Sequence, residues 1–249
     1  MNQLPMRGTL LNTATVAVGA LLGLAIGSKL PQGYLSIALA GLGLVTVCIG
    51  IKLFFESRNV LIVAISVAVG GVVGTALGLH VGLERFAEWA RAIVGGGTTF
   101  NEGLITTSVL FCVGPMTLLG CLQDGLEGKI ELLSIKSLMD GIAAVFFAAT
   151  LGAGVLVTAL VVLVVQGTLT LLASKLKSLS TNTRALAETS AAGGCILLSI
   201  GIGLLNLAEI PSENFLPALV FAPCLSALFV RFARPSGSLE ERLQSEDPF

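Results

Sequence analysis

The sequence has very little charge. Only 12% of its 249 residues are Asp, Glu, Lys or Arg, and 54% are hydrophobic. An average soluble domain has about 25% charged residues. This composition excludes a soluble globular enzyme, a nucleic-acid-binding protein and a disordered chain. The formal net charge of −1 also gives no basic field that would attract DNA or RNA. What remains is a polytopic protein whose main surroundings are the lipid bilayer.

The chain also lacks the motifs of common enzyme classes. It contains no phosphate-binding G-x-x-x-x-G-K-[ST] loop, no H-E-x-x-H zinc motif and no G-x-S-x-G nucleophile turn. Its cysteines lie in or beside apolar runs without C-x-x-C spacing, which is typical of small core residues. They are Cys48, Cys112, Cys121, Cys195 and Cys224. We therefore expect no enzymatic activity, no metal site and no cofactor.

Eight apolar runs are candidates to cross a bilayer as helices, for which about 20 residues are needed. They are residues 9–28, 34–55, 60–83, 103–121, 133–150, 152–174, 187–207 and 214–232. The fifth begins in the amphipathic stretch 130–140, so it either crosses or forms a short re-entrant segment. The runs predict an all-α transmembrane helix bundle over residues 1–234. The polar, acidic residues 235–249 predict a disordered cytoplasmic tail.

The distribution of Lys and Arg favours eight crossings with both termini in the cytoplasm. With eight crossings, one side of the membrane holds only Lys29, Arg85 and Arg91. The other side holds Arg7, Lys52, Arg58, Lys129, Lys136, Lys175, Lys177, Arg184, Arg231, Arg234 and Arg242. If the fifth run did not cross, the excess would be smaller and on the opposite side. Because positive charge concentrates on the cytoplasmic side, the first arrangement is favoured.

Residues 84–94 are predicted to form an amphipathic helix on the outer membrane surface. Phe86, Trp89 and Ile93 share one face, and Trp89 is the only tryptophan in the chain. Aromatic side chains prefer the membrane–water interface. The only histidine, His80, precedes this stretch. We interpret it as a polar residue at the outer end of the third span.

The stretch 40–55 aligns with 191–206, which predicts an inverted repeat. Both stretches contain Ala, Gly and the run IGI-x-L. The matching spans are the second and the seventh, so the copies 9–83 and 152–232 would run in opposite directions, as in many secondary transporters. Chance similarity in a chain rich in Gly, Ile and Leu is the alternative.

Two series of glycines at four-residue spacing each line one face of a predicted helix. They are Gly19, Gly23 and Gly27 in the first span, and Gly70, Gly74, Gly78 and Gly82 in the third. Faces of small residues serve close packing within a chain, contact between two copies, or sliding during a conformational change. Because two-fold dimers are the commonest oligomers, we also predict a homodimer.

The fourth span contains a predicted break at Gly114, Pro115 and Met116. Proline removes a backbone donor and clashes with the preceding turn of a helix. The carbonyl groups released in this way are tolerated at membrane depth only where they are buried or line a wet cavity. The sequence thus predicts either a helix break beside a transport path or a plain proline kink.

Lys136 and Asp140 lie four residues apart in the fifth run, so they share a helix face and can pair. They form either a self-neutralising interfacial ion pair or a gated cation or proton site in which Asp140 titrates. Four other polar residues would line or frame the same path, or would hydrogen-bond between helices. These are Asn12, Gln166, Glu188 and Asn206.

Long segments of the chain match the pattern of a known family. They are GTLLNTATVAVGALLG, FCVGPMTLLGCLQDGLEGKIELLSIKSLMDGIAAVFFAATLGAGV, and ETSAAGGCILLSIGIGLLN with NFLPAL. The most specific parts are GPM-T-x-L-G, Q-D-G and K-S-x-x-D-G. Through them the chain resembles the bacterial YqgA/YdfK-type membrane proteins, the family of domain of unknown function 554, from about Gly8 to Arg231. The resemblance implies a bacterial inner-membrane protein connected with transport, and it implies no substrate.

We therefore predict a protein that passes a small ion or solute across the bacterial inner membrane, passively or coupled to an ion. The alternative is a membrane sensor or assembly scaffold that transports nothing. A transport path requires Asn12, Asp140, Gln166 and Asn206 to meet at one hydrated cavity. A scaffold would scatter them among dry helix contacts.

Overall fold

The computed structural model describes residues 6–175 and 182–232, and every regular element in these ranges is helical. The α-helices are α1 (Arg7–Gly27), α2 (Gln32–Phe54), α3 (Val60–Ala76), α4 (Leu79–Val94), α5 (Phe100–Cys112), α6 (Pro115–Glu127), α7 (Glu131–Leu151), α8 (Gly154–Leu171), α9 (Thr183–Leu204) and α10 (Ala218–Phe232). A 3₁₀ turn, Ser212–Phe215, precedes α10. Six segments are long and apolar enough to span a membrane, or eight if each of two bent pairs counts as one. This confirms the all-α polytopic bundle; the predicted tail 235–249 lies outside the described residues.

The two bent pairs are α3 with α4, at 57°, and α5 with α6, at 61°. The first bend is at Gly78, whose φ of 66° is left-handed. The second is at Gly114, whose φ of 136° is rare for any residue with a side chain. Pro115 then occupies the first position of α6, where a helix needs no backbone donor. The structure thus places Gly114 at the break and Pro115 and Met116 in the first turn of α6.

The first and fifth spans, α1 and α7, pack side by side in the same direction. A Cβ atom on Gly19, Gly23 or Gly27 would collide with backbone carbonyl groups of α7, at Gly141, Val145 and Ala149. The first glycine series is therefore used for close packing inside the chain.

The second and seventh spans, α2 and α9, pack in opposite directions. A Cβ on Gly194 would lie 2.6 Å from the carbonyl oxygen of Gly50, and a Cβ on Gly201 would lie 3.0 Å from that of Gly43. In the other series, Gly70 and Gly74 pack α3 against Ala218 and Asn214, whereas Gly78 and Gly82 have open space beside them.

The contacts between helices define two ends of the bundle. At the Arg7 end lie the starts of α1, α3, α7 and α9 and the ends of α2, α6, α8 and α10. At the opposite end, the Gly27 end, Thr99 donates to the carbonyl oxygen of Leu151 at 3.0 Å. α7 follows α1 from Leu133, beside Gly8, to Ala149, beside Gly27. The fifth run therefore extends through the bundle, as eight crossings require.

α4 begins at Leu79, five residues before the predicted amphipathic stretch, and lies beyond the bend at the Gly27 end. Its buried face consists of Ala87 and Ala90. The rings of Phe86 and Trp89 stack at 5.9 Å, and 61% of Trp89 is exposed. An apolar aromatic face left uncovered by the protein is suited to the membrane interface.

Candidate functional site

Four of the predicted path residues meet in one buried network between α1, α7 and α8. Asn12 Nδ2 donates to Asp140 Oδ2 at 3.0 Å and to Gln166 Oε1 at 3.1 Å. Lys136 Nζ lies 2.5 Å from the same carboxylate oxygen. All four side chains are buried. Asn12 of α1 thus holds the Lys136–Asp140 pair of α7, and Gln166 of α8 holds Asn12.

Two atoms of this network have no hydrogen-bond partner, Asn12 Oδ1 and Gln166 Nε2. The orientation of the Asn12 amide follows from the charge of Asp140, because only the NH₂ group can donate to a carboxylate. One acceptor and one donor therefore remain open in a buried position. Such a pair has the hydrogen-bonding capacity to hold a water molecule or a polar group of a substrate.

A cavity of about 220 Å³ adjoins the network. Lys136 and Asp140 contribute to one wall, and Gly114, Pro115 and Met116 contribute to another. The hydroxyl residues Thr46 and Thr117 also face it, and its other lining residues are apolar. The first backbone N–H groups of a helix have no partner inside that helix. The start of α6 therefore brings backbone donors to the same region as the charged pair.

A second polar layer lies about one helical turn closer to the Arg7 end. The backbone N–H of Gly8 donates to Asp124 Oδ2 at 2.9 Å, and the hydroxyl oxygens of Thr9 and Thr170 are 3.1 Å apart. Cys121 lies next to both threonines and within electrostatic range of Asp124 and Lys136. Asp124 is buried, and its Oδ1 has no partner. Sequence reasoning noted Asp124 only as part of the Q-D-G segment and did not assign this layer.

Glu188 and Asn206 do not belong to the network. Glu188 accepts hydrogen bonds from the hydroxyl of Ser57 at 2.7 Å and from the backbone N–H groups of Arg58 and Asn59 at 3.0 and 2.9 Å. It therefore fixes the loop between α2 and α3. Asn206 is exposed beyond the end of α9, with a left-handed φ of 57°. Of the four residues whose convergence a transport path was predicted to require, Asn12, Asp140 and Gln166 meet.

A larger cavity, of about 560 Å³, lies on another side of the α5–α6 break and shares Val113 and Gly114 with the first. Its lining is almost entirely apolar, with residues from α4, α5, α8 and α10. The hydroxyl of Ser108 faces this region and has no partner. The break at Gly114 thus separates an apolar space from one that contains charge.

The Gly27 end has its own polar cluster around His80. The His80 side chain pairs with Glu213, and its backbone N–H donates to Asn214 Oδ1 at 3.1 Å. Glu84 Oε1 lies 3.8 Å from His80 Nε2. The hydrogen bond with Glu213 raises the pKa of His80 above its usual 6.5, against a smaller opposing effect of burial. The cluster ties α4 to the 3₁₀ turn; His80 and Glu213 are 133 residues apart, so no local sequence motif predicts the pair.

In the described ranges, no group of three or more His, Cys, Asp or Glu residues is arranged to hold a metal ion. The network itself offers one carboxylate, one ammonium group and two amides. These groups can exchange a proton or a monovalent cation for the Lys136 ammonium, or can hydrogen-bond a small polar solute.

The comparisons with known proteins extend over most of the chain. The chain is 29% identical over 222 residues to the "Uncharacterized membrane protein YdfK" of Bacillus subtilis (strain 168), which covers 88% of the chain and 94% of that relative. It is 28% identical over 226 residues to the "Uncharacterized protein YqgA" of Escherichia coli (strain K12), covering 88% and 96%. No solved structure matches it. Residues 7–227 match the family described as "Protein of unknown function (DUF554)", and the chain belongs to this family.

Proposed function

We propose that the protein passes a small ion or solute across the bacterial inner membrane, with Asp140 and Lys136 as the charged step of the path. The observation that carries the proposal is the convergence of three helices on one buried ion pair beside a cavity and a helix break. Ionisable residues inside a membrane protein are costly and usually mark a pathway for ions, protons or substrates.

The energetics favour a functional role over a purely structural one. Replacing a buried ion pair by apolar residues of similar volume is often neutral or stabilising, so such a pair is a poor means of holding helices together. Glycine seams already pack α1 onto α7 and α2 onto α9. The network also leaves a donor and an acceptor open, which a device for stability alone would not need.

The arrangement suggests a simple exchange mechanism. In the structure the Lys136 ammonium pairs with Asp140, and Asn12 holds the carboxylate in place. A proton or a small cation that binds Asp140 releases Lys136, whose long side chain can turn toward the cavity. The chain has no nucleotide-binding loop, so the process is passive or coupled to an ion gradient.

The orientation follows from the charge distribution. Among the described residues, the Arg7 end carries more Lys and Arg than the Gly27 end, so in this proposal it faces the cytoplasm, as both termini do. A reporter enzyme active only in the periplasm, fused to the C-terminus, will therefore be inactive. Activity of that fusion would contradict eight crossings with cytoplasmic termini.

The contact between α2 and α9 is compatible with the proposed inverted repeat. The alignment of 40–55 with 191–206 makes Gly43 equivalent to Gly194 and Gly50 equivalent to Gly201. In the structure, Gly50 faces Gly194 and Gly201 faces Gly43. Each glycine therefore contacts the counterpart of the other glycine in its own helix. A two-fold axis between equivalent helices requires this pattern, but any antiparallel pair with a constant alignment offset also has it, so the repeat stays a prediction.

Self-association as a homodimer is part of the proposal, although five of the seven glycines first considered for it pack inside the chain. A mass measurement of the purified protein in a mild detergent will give a dimer. A monomer at all concentrations would contradict this part, and it would leave the ion path intact because all its residues lie in one chain.

The test of function is a flux measurement in proteoliposomes with the wild type, Asp140→Asn and the control Glu131→Gln. Glu131 lies on the same helix, but it is exposed. A panel of monovalent cations and small labelled solutes is offered under a gradient. We expect one class to move with wild type and Glu131→Gln, and not with Asp140→Asn at an equal amount of folded protein. Equal rates for Asp140→Asn, or no movement of any class, would favour the sensor or scaffold.

A further inference from the structure

The polar layer at the Arg7 end points to the ion that the protein carries. We propose that a proton path runs from Asp124 at the Arg7 end, through water held between the Thr9–Thr170 pair and the Asn12–Gln166 pair, to Asp140. The inference rests on the proposed function and deepens it, because it names the proton as the coupling or transported ion and Asp124 as the residue at which it enters.

The first argument is the register of the two helices α1 and α8. Thr170 and Gln166 are four residues apart on α8, and Gly8 and Asn12 are four apart on α1. Residues at this spacing lie one above the other, about 6 Å apart along the helix. Each of these helices therefore contributes to both polar layers. Cys121 of α6 lies near members of both, Thr9 and Thr170 in one and Lys136 in the other.

The second argument is the position of the atoms without partners. In residues 6–175 and 182–232, five buried side-chain atoms lack a hydrogen bond, and three of them belong to these two layers. They are Asp124 Oδ1, Asn12 Oδ1 and Gln166 Nε2. Two acceptors and one donor match the needs of water, which is held in protein interiors by two to four polar groups. A chain of water between the layers would satisfy all three.

The third argument is the close approach of the helices at this level. A Cβ on Gly120 would lie 2.8 Å from the Leu133 side chain, and one on Gly125 would lie 2.6 Å from the Cβ of Ala173. α6 thus lies directly against α7 and α8. A hydrated metal ion or an organic solute would have to separate these helices, whereas single water molecules at the three atoms without partners are enough to relay a proton.

The proton balance is simple. A proton from the cytoplasm binds Asp124, passes through water and the Thr9 and Thr170 hydroxyl groups, and binds the Asp140 carboxylate, which then releases the Lys136 ammonium. When Lys136 returns, the same proton leaves Asp140 toward the cavity. The other ionisable groups near the two carboxylates are the thiols of Cys112 on α5 and Cys121 on α6.

The experiment uses the full-length protein in liposomes that contain a pH-sensitive dye, with a membrane potential imposed by potassium and valinomycin. The variants are Asp124→Asn and the control Glu127→Gln, an exposed residue on the same helix. The amide oxygen introduced by Asp124→Asn can still accept from the N–H of Gly8, so the fold is kept. We expect Asp124→Asn to lower the proton flux by about a hundredfold, the effect typical of losing one positioned proton-transfer group. We expect Glu127→Gln to match the wild type.

The possible outcomes separate this inference from the proposed function. If an ion or solute moves but protons do not, or if Asp124→Asn moves protons as fast as the wild type, the proton path is wrong and the transport function stands. A variant with Thr170→Val, which keeps the shape and removes the hydroxyl, will also slow proton flux if the path is correct.

An infrared measurement tests the path even if no transport is seen. The protein is equilibrated at a pH low enough for the carboxyl band of protonated Asp140 to appear, the band is identified by its loss in Asp140→Asn, and it is followed after transfer from H₂O to D₂O at the same acidity. We expect Asp124→Asn to slow the deuterium exchange of this band, with Glu127→Gln unchanged. Equal exchange rates in all three proteins would overturn the path.

Discussion

Two helix pairs, the parallel α1–α7 and the antiparallel α2–α9, both pack through glycines and differ in the polar side chains buried between them. In both pairs the glycines bring backbone within contact distance of backbone. In the α1–α7 pair, the half near the Arg7 end holds Asn12, Lys136 and Asp140. In the α2–α9 pair, the small polar residues Thr46 and Ser199 bond only to carbonyl groups of their own helices.

The difference separates the two tasks of a membrane bundle. Close packing of small residues is sufficient to hold two helices together in lipid, so polar side chains are not needed for that purpose. Under the proposed function, the polar and charged groups that are nevertheless buried between α1 and α7 belong to the path. The α2–α9 pair thus acts as the internal reference against which the α1–α7 pair can be tested.

The largest effect is expected where both pairs are alike. Gly23→Leu in α1 and Gly194→Leu in α9 each place a side chain into the backbone of the neighbouring helix. We expect each to destabilise the fold by about 3 kcal/mol or more, as overpacking at an unyielding contact does. The yield of monodisperse protein will fall for both and not for Gly41→Leu, because Gly41 has open space beside it. Normal yield for either seam variant would show that the seam is not needed for folding.

The next effect distinguishes the two charges of the pair. Lys136→Arg keeps a cation on a long side chain, so we expect it to retain a reduced flux, whereas Asp140→Asn will have none. Flux per folded molecule in proteoliposomes makes the comparison. If Lys136→Arg were inactive and Asp140→Asn active, the cation rather than the carboxylate would carry the charged step.

A smaller effect compares polar residues in the two pairs. Gln166→Leu removes a hydrogen bond worth about 0.6 kcal/mol in a membrane interior, so the protein will fold. It also removes an open donor beside Asp140, and flux will fall several-fold. Ser199→Ala in the α2–α9 pair will leave flux unchanged. Equal flux in both variants would place Gln166 among the structural contacts.

The smallest expected effect lies away from both pairs, at His80. Glu213 raises the pKa of His80, so the protonated imidazole is more stable in the folded state than in the unfolded state. This stabilisation is fully present below the unfolded pKa of about 6.5 and is lost as the pH rises through the raised folded value. The Tm of the wild type should therefore fall between about pH 6 and pH 9 by more than that of His80→Gln. An identical decrease in both would show that the pair does not contribute.

Much of the fold could be predicted because long apolar runs leave little choice of secondary structure. The break at Gly114 followed from Pro115, since proline ends a helix whatever surrounds it. The high cost of polar groups in apolar runs singled out Asn12, Asp140 and Gln166, but it left open whether they would meet or scatter among dry helix contacts. The ends of helices were less certain: α4 starts before the predicted stretch because Gly78 permits the bend at that point.

The parts that sequence could not supply depend on tertiary contacts. Glu188 was assigned to the path because it is acidic and near a span, but its three donors come from the α2–α3 loop. Asn206 lies two residues beyond Leu204, where its helix ends. Asp124, Thr9 and Thr170 were not assigned because hydroxyl residues are common in spans and Asp124 follows the predicted end of the fourth run.

The central claim, that the Lys136–Asp140 pair serves transport and not folding, is tested most directly by neutralising both charges together. In the double variant Lys136→Met with Asp140→Asn, no charge is left unpaired, and the amide oxygen introduced at position 140 can still accept from Asn12. Thermal unfolding and proteoliposome flux are measured on the same preparation. The account predicts a Tm equal to or above that of the wild type, together with complete loss of flux. A lower Tm with undiminished flux per folded molecule would contradict it.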